Sequence, residues 1–270
     1  WRSIAAKIIP AFVKPCESTF LINNSPISCL PIPGILLNMG SYSIYIHIPF
    51  CSHRCNYCDF NTYAGIQEFI PAYGQALRGE IQRIAQGLNA RLPVRTIYFG
   101  GGTPSLLPAP VLDPIIQTLE DMFDFDNDIE ISLEANPGTL SYTYLQEIKQ
   151  MGFNRLSLGM QSANLDELRF LERQHTYIDV VEAVKWARQA GFENLSLDLI
   201  FGLPDQTPVV WGHSLDLALS LAPEHFSLYA LTIEPGTPLG NWFNRGLIPE
   251  PDPDLAADMY ELASEKLSQG

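Results

Sequence analysis

From residue 42 onward, short apolar runs alternate with stretches whose apolar residues recur at three- and four-residue steps. The runs occupy 43–49, 96–101, 129–134, 156–161, 195–201 and 226–232. Inside them apolar and polar positions alternate. Ile44, Ile46 and Ile48 oppose Ser43, Tyr45 and His47, and Ile129, Ile131 and Leu133 oppose Glu130, Ser132 and Glu134. Leu156, Leu158 and Met160 oppose Ser157, Gly159 and Gln161, while Leu195, Leu197, Leu199 and Phe201 oppose Ser196, Asp198 and Ile200. A period of two is that of a strand with one apolar face. The intervening segments carry the helical period. Phe69, Ile70, Tyr73, Leu77, Ile81, Ile84 and Leu88 form one stripe, and Val111, Leu112, Ile115, Ile116, Leu119 and Met122 a second. Leu145, Ile148 and Met151 end at Gly152, and Val180, Val181, Val184 and Ala187 end at Gly191, as helix C-termini do. Leu215, Leu217, Leu219 and Leu221 fit a fifth helix less regularly.

Strand and helix repeated in this way predict an α/β fold with a parallel sheet and right-handed crossovers. Six such units fit a partial (βα)6 TIM-like barrel, with a doubly wound open sheet as the other arrangement. Parallel strands covered on both faces read as continuous Val, Ile and Leu. These strands have a polar face instead, which predicts a barrel whose interior is a site and not a packed core. An antiparallel sheet with one solvated face would also alternate, but the intervening helices argue against it. The last polar residue of each strand then falls at the C-terminal rim, where barrels carry their chemistry. That rim would gather a cysteine cluster, Gly100-Gly101-Gly102-Thr103, Glu134, Gln161 and Asp198.

Residues 1–40 are rich in Pro, Asn and Ser without a sustained period and read as an irregular extension, with Met39 a candidate natural start. Residues 41–245 would form the barrel domain, and 246–270 the opening of a C-terminal region with a helix over about 253–268. The charge-free stretch from Ser18 to Ser52 contains Pro26, Pro31, Pro33 and Pro49, too many breakers for a membrane helix. No signal-peptide pattern opens the chain, so a soluble cytoplasmic protein is expected. Lys plus Arg number 16 against 30 Asp plus Glu, a formal charge of −14. That charge repels phosphate backbones and anionic headgroups. It argues against nucleic-acid binding and leaves membrane contact at most peripheral.

Five cysteines occur, at 16, 29, 51, 55 and 58. An odd, clustered set reads as metal ligation and not as a disulfide framework. Cys51, Cys55 and Cys58 can hold three corners of a four-iron cluster and leave one iron open. Zinc bound by the three thiolates and either His47 or His53 is the alternative, though no second ligand knuckle is present. Three consecutive glycines let a backbone approach a ligand and present peptide groups to it. Glu134 and Asp198 lie in aliphatic strands, where an unpaired carboxylate is costly. Each is a candidate acceptor for a ligand's hydroxyl or ammonium groups, with a buried salt bridge as the alternative. The acidic run from Glu120 to Asp128 reads as a solvated loop, and His175, His213 and His225 as structural.

The thiol spacing with an aromatic before the last cysteine resembles the radical S-adenosylmethionine (SAM) family. The segments IYIHIPFC (44–51), GGGTP (100–104) and DLIFGLP (198–204) together resemble its HemN/HemW branch, over about 42 to 268. The resemblance implies a [4Fe-4S] cluster on Cys51, Cys55 and Cys58, with SAM chelating the open iron. Electron transfer then yields a 5′-deoxyadenosyl radical. It implies Tyr45, Gly101 and Glu134 against the cluster-bound SAM, and Gly102 and Thr103 beside it. Tyr57, Gln161, Arg173 and Asp198 match positions lining a second SAM or substrate pocket; a solvated helix-end role for Arg173 stays open. Tyr229 is a further candidate for lining, with core packing as its alternative.

Oxidases of the branch carry a fourth cysteine two positions after the third, where this chain has Phe60. No catalytic residue is therefore assigned, and whether the protein is an enzyme stays open. The resemblance leans toward the haem chaperones of the branch. It implies haem as cargo, haem-acceptor proteins as partners and an electron donor for the cluster. The alternative is an oxygen-independent coproporphyrinogen III oxidase acting on a porphyrinogen. The His-Asn…Tyr-Trp stretch associated with haem in the chaperones would fall after Gly270.

Overall fold

The computed structural model describes residues 6–10 and 41–269. The strands are β1 (Ala6–Pro10), β2 (Tyr42–Ile48), β3 (Phe50–Cys51), β4 (Tyr63–Ala64), β5 (Pro93–Gly101), β6 (Asp124–Ala135), β7 (Arg155–Gln161), β8 (Asn194–Phe201) and β9 (His225–Ala230). The helices are α1 (Ile70–Gln86), α2 (Ala109–Met122), α3 (Tyr142–Gln150), α4 (Leu165–Phe170), α5 (Tyr177–Gln189), α6 (Pro208–Leu219), α7 (Pro238–Asn244) and α8 (Pro253–Gln269).

The main sheet runs β1-β2-β5-β6-β7-β8-β9, and every pair from β2 onward is parallel. Successive strands are neighbours, with no reversal of order. A doubly wound sheet requires such a reversal, so the chain curls in one direction into a six-strand half-barrel. β2 and β9 do not pair, which leaves the barrel open. Within the stretch expected to be irregular, β1 pairs antiparallel with β2, Ile8 opposite Ile44. The rest of 1–40, including Cys16, Cys29 and Met39, lies outside the described residues.

The alternation read from the sequence sorts the two faces. Ile46, Ile97, Leu133, Leu158 and Leu197 point outward and are completely buried. They pack in one cluster with Leu77 and Ile81 of α1, Leu112 and Ile115 of α2, Leu145 of α3, Val180 of α5 and Trp211 of α6. Each such side chain contributes roughly 1.5–3 kcal/mol of burial. The helices follow the strands, α1 only after the long thiol-bearing segment, and polar caps fix several starts. The Ser141 hydroxyl accepts from the Tyr144 amide at 3.2 Å, and Thr176 and Asp179 form a capping box on α5.

Three details depart from the sequence reading. The acidic run is not a loop: it ends α2 and opens β6, with Asp124 opposite Pro93 and Phe123 buried. Its carboxylates are largely exposed, so only its conformation differs. The short helices α4 and α7 carry no long stripe and were not anticipated. α8 packs against α6, with the Trp211 indole donating to the Met259 carbonyl at 2.9 Å and Met259 and Ala263 buried. Among the described residues no helix is long and apolar enough to cross a membrane.

Candidate functional site at the open end of the half-barrel

The segment after β2 carries the thiols and is held from several sides. The Gln67 amide donates to the Cys51 carbonyl at 2.8 Å. The buried Asn56 side chain donates to the Phe170 carbonyl at 3.1 Å, while the Asn56 backbone carbonyl accepts from the Leu239 amide at 3.1 Å. β3 and β4 pair within it. The Gly102 and Thr103 amides donate to the Ile48 and Phe50 carbonyls at 2.8 and 2.7 Å. A Cβ on Gly102 would sit 2.6 Å from the Phe50 oxygen and 3.0 Å from the Cys51 sulfur. Glycine is therefore what lets the second rim loop press against the first.

Of the peptide groups that the triplet is expected to present to a ligand, the hydrogens at this end are already taken. The Gly101 amide donates to Glu134 at 3.0 Å. The Gly101, Gly102 and Thr103 hydrogens are thus all engaged within the protein.

The three thiols line one cleft of about 350 Å³, within the ~300–1,000 Å³ range of small-molecule sites. The Thr103 hydroxyl donates to the Cys51 sulfur at 3.7 Å, and Arg173 Nη1 lies 3.6 Å from the Cys55 sulfur. Burial pushes the Cys51 and Cys58 thiols up, against the pull of Thr103 on Cys51 and of the Phe60 amide on Cys58. The Thr62 hydroxyl is buried without a hydrogen-bond partner, beside both of those thiols.

Among the described residues no three His, Cys, Asp or Glu side chains converge as a single metal ion requires; at Zn–S distances of about 2.3 Å the donors nearly touch. The histidines of the zinc alternative are engaged elsewhere. His47 Nε2 donates to the Asn61 carbonyl at 3.0 Å, and its Nδ1 lies 3.0 Å from the Tyr45 hydroxyl. His53 Nε2 pairs with Glu172 at 2.9 Å.

Every residue that the family resemblance implies at the site, except Tyr45, lines this cleft. Tyr45 lies on the inner face, stacked on Tyr98 with ring centroids 6.2 Å apart. Glu134 accepts from the Tyr98 hydroxyl at 2.7 Å as well as from Gly101, and burial holds its carboxyl above the usual range. Asp198 accepts from the Ser157 hydroxyl at 2.9 Å, and burial raises it likewise. Neither carboxylate forms an ion pair among the described residues. The buried salt bridge is thereby set aside, and both acceptors face the cleft.

At the end of β7, Gln161 takes φ 63°, a left-handed conformation that costs of order 1–3 kcal/mol in a non-glycine residue and persists where surroundings enforce it. A Cβ on Gly159 would meet Gln161 Nε2 at 2.9 Å, so glycine there admits that side chain. The Arg173 guanidinium is not at a solvated helix end. It donates to the Gly159 carbonyl at 3.0 Å, with the Tyr57 hydroxyl in reach. Burial alone would pull Arg173 down; Tyr57 and Cys55 beside it more than reverse that. Burial also raises the Tyr57 phenol. Tyr229, left open between lining and packing, lines the cleft and is 57% exposed.

Sequence reasoning missed Asn56, Thr62 and Gln67, which hold or face the thiol loop. No motif marks them, although an Asn inside a thiol cluster is a weak cue. His175 is structural, as read: it is buried, with Nε2 on the Met160 carbonyl at 3.0 Å and its pKa lowered to about 4 by burial.

A model of the Radical SAM superfamily matches residues 45–218. The chain belongs to the radical SAM superfamily. Within it the chain falls in the HemN/HemW branch. It is 40% identical over 240 residues to the heme chaperone HemW of Synechocystis sp., covering 86% of this chain and 58% of the relative. It is 41% identical over 227 residues to HemW of Bacillus subtilis, covering 83% and 59%. The chain thus spans less than three fifths of the length of these relatives. The solved coproporphyrinogen III oxidase HemN of Escherichia coli superposes with a TM-score of 0.75 at 30% identity, covering 83% of this chain and 52% of that one. The structure of the cobalamin- and [4Fe-4S]-bound methyltransferase TsrM from Kitasatospora setae shares the radical SAM fold, with a TM-score of 0.55 at 16% identity.

Proposed function

We propose that this chain is the cluster- and SAM-binding half-barrel of a HemW-type haem chaperone, with Cys51, Cys55 and Cys58 holding a [4Fe-4S] cluster. The observation that carries the reading is the convergence of these thiols on one cleft beside Gly102 and Thr103, with Phe60 in place of a fourth cysteine. Three thiolates from one short segment, all lining that cleft, match the cysteine ligation of iron–sulfur clusters. The buried Thr62 hydroxyl beside Cys51 and Cys58 could donate to those thiolates or to what they hold. When bound, cluster and SAM supply one-electron cleavage of a sulfonium to a carbon radical.

The chain's own residues bind and orient. Glu134 accepts from the ammonium or hydroxyls of SAM, its position fixed by Tyr98 and Gly101. Tyr45, stacked on Tyr98 and hydrogen-bonded to His47, extends the same inner face. Tyr57, Gln161, Arg173 and Asp198 line the same cleft and would face a second SAM or the cargo. Haem would be the cargo, passed to acceptor proteins, with a low-potential electron donor serving the cluster. An acidic chain with no membrane-crossing helix among its described residues suits a cytoplasmic setting.

The second reading, oxidation of a porphyrinogen, is favoured by one observation: Gln161, Arg173 and Asp198 share the cleft, as the resemblance to the oxidase implies. Anaerobic reconstitution of the chain with iron and sulfide should give a broad absorption near ~400 nm, and Cys55→Ala should abolish it. A colourless, zinc-loaded protein would refute the cluster. Supplying the full-length protein with reductant, SAM and coproporphyrinogen III separates the two readings. Turnover to protoporphyrinogen favours the oxidase, and stoichiometric haem binding without turnover favours the chaperone.

A further inference from the structure

We infer that Arg173 sets how easily the cluster is reduced, by holding a charged N–H against the Cys55 sulfur; this rests on the cluster reading above. The three thiols are not treated alike. Cys51 receives a hydroxyl from Thr103 at 3.7 Å, and Cys58 the Phe60 amide. Both donors are neutral. Cys55 instead faces Arg173 Nη1 at 3.6 Å, while Nη2 is anchored on the Gly159 carbonyl at 3.0 Å. One arm of the guanidinium fork is thereby fixed by the backbone and the other aimed at sulfur.

A guanidinium at this depth normally has a carboxylate counterion, because an unpaired charge is costly to bury. Among the described residues none forms an ion pair with Arg173, although the chain carries 30 acidic side chains. Its Nε is buried with no hydrogen-bond partner. The Cys55 thiolate, and whatever the thiols hold, is thus the nearest negative charge that the protein itself sets against this guanidinium. Such a cation beside one corner has a definite electrical consequence. Reduction takes one electron from a low-potential one-electron donor, adds one unit of negative charge to the centre and breaks no bond. A fixed cation and a charge-assisted hydrogen bond to sulfur stabilise that added charge, so Arg173 raises the reduction potential.

The test is a redox titration of the reconstituted chain with dithionite and mediators, following the reduced cluster by electron paramagnetic resonance. Arg173→Gln should lower the reduced-to-oxidised ratio at a fixed poise roughly tenfold, about 59 mV for one electron. Arg173→Lys, which keeps the charge, should recover part of that loss. A wild-type potential in Arg173→Gln overturns the inference and leaves the cluster reading intact. A wild-type chain that takes up no cluster sinks that reading and the inference with it. Should Arg173→Gln fail to assemble a cluster, a second measurement uses an Arg54→Gln chain labelled with ¹⁵N-arginine. The reduced cluster should then show a ¹⁵N hyperfine coupling from Arg173, and its absence overturns the inference.

Discussion

The two faces of the same six strands obey opposite rules. On the outer face Ile46, Phe99, Leu133, Leu158 and Leu197 are completely buried, satisfied by contact alone. On the inner face, one residue along in each strand, Tyr45, Tyr98, Glu134, Ser157 and Asp198 form a hydrogen-bonded wall that ends in the thiol cleft. Burial lifts both inner carboxyls above their ordinary range, and neither has an ion-pair partner among the described residues. The outer face stores the stability of the fold. The inner face holds polar groups at some cost, the pattern expected of a face reserved for a ligand.

Substitutions on each face should separate these roles. The largest effect belongs to the outer face: Phe99→Ala should cost about 3–5 kcal/mol through lost burial and a residual cavity, read as a lower midpoint in urea unfolding. Next comes His175, which also lies outside the cleft. Its pKa of about 4 lies below the ~6.5 of an unfolded histidine, so between these values the unfolded chain binds more protons. Stability is complete above about pH 6.5 and falls by about 3 kcal/mol as pH drops toward 4. Glu134 and Asp198, with raised pKa values, pull the other way. The difference between wild-type and His175→Gln pH profiles isolates the histidine, and parallel profiles would contradict this account.

Where the two rim loops touch, Gly102→Ala should displace Cys51, because the added methyl would lie 3.0 Å from its sulfur. Its expected signature is loss of iron uptake on reconstitution greater than loss of thermal stability. The smallest effect on stability belongs to the inner wall. Asp198→Asn should change unfolding free energy by less than about 1 kcal/mol, since a hydroxyl from Ser157 can still be accepted. Binding of SAM or cargo, followed by calorimetry, should weaken nonetheless. A large stability loss there would mean that the inner face is structural after all.

The fold was legible because period-two and near-four patterns are local. Six apolar runs and five stripes were enough to give the parallel order. The short helices α4 and α7 were not legible, being too short to show a stripe, and neither was β1, whose partner lies far along the chain at 42–46. In the site, the thiols, the glycine triplet and the two strand carboxylates stood out as residue types misplaced for a core. Asn56, Thr62 and Gln67 did not, because a single amide or hydroxyl carries no spacing to read. For the triplet, the missing side chains suggested a close backbone approach to a ligand, and the structure adds that the hydrogens of Gly101, Gly102 and Thr103 point at Glu134, Ile48 and Phe50.

The amino-acid order by itself determined the alternation of strands and helices, the sidedness of the sheet and the set of residues that could meet at one rim. Those properties follow from backbone periodicity and from the cost of burying polar groups. The tertiary structure alone decided which pairs meet: Arg173 with Cys55, Glu134 with the Gly101 amide, Asn56 with Phe170. Such contacts join residues 33 to 118 positions apart. Only the curl of the sheet, set by packing its outer face against the helices, brings them within hydrogen-bond reach.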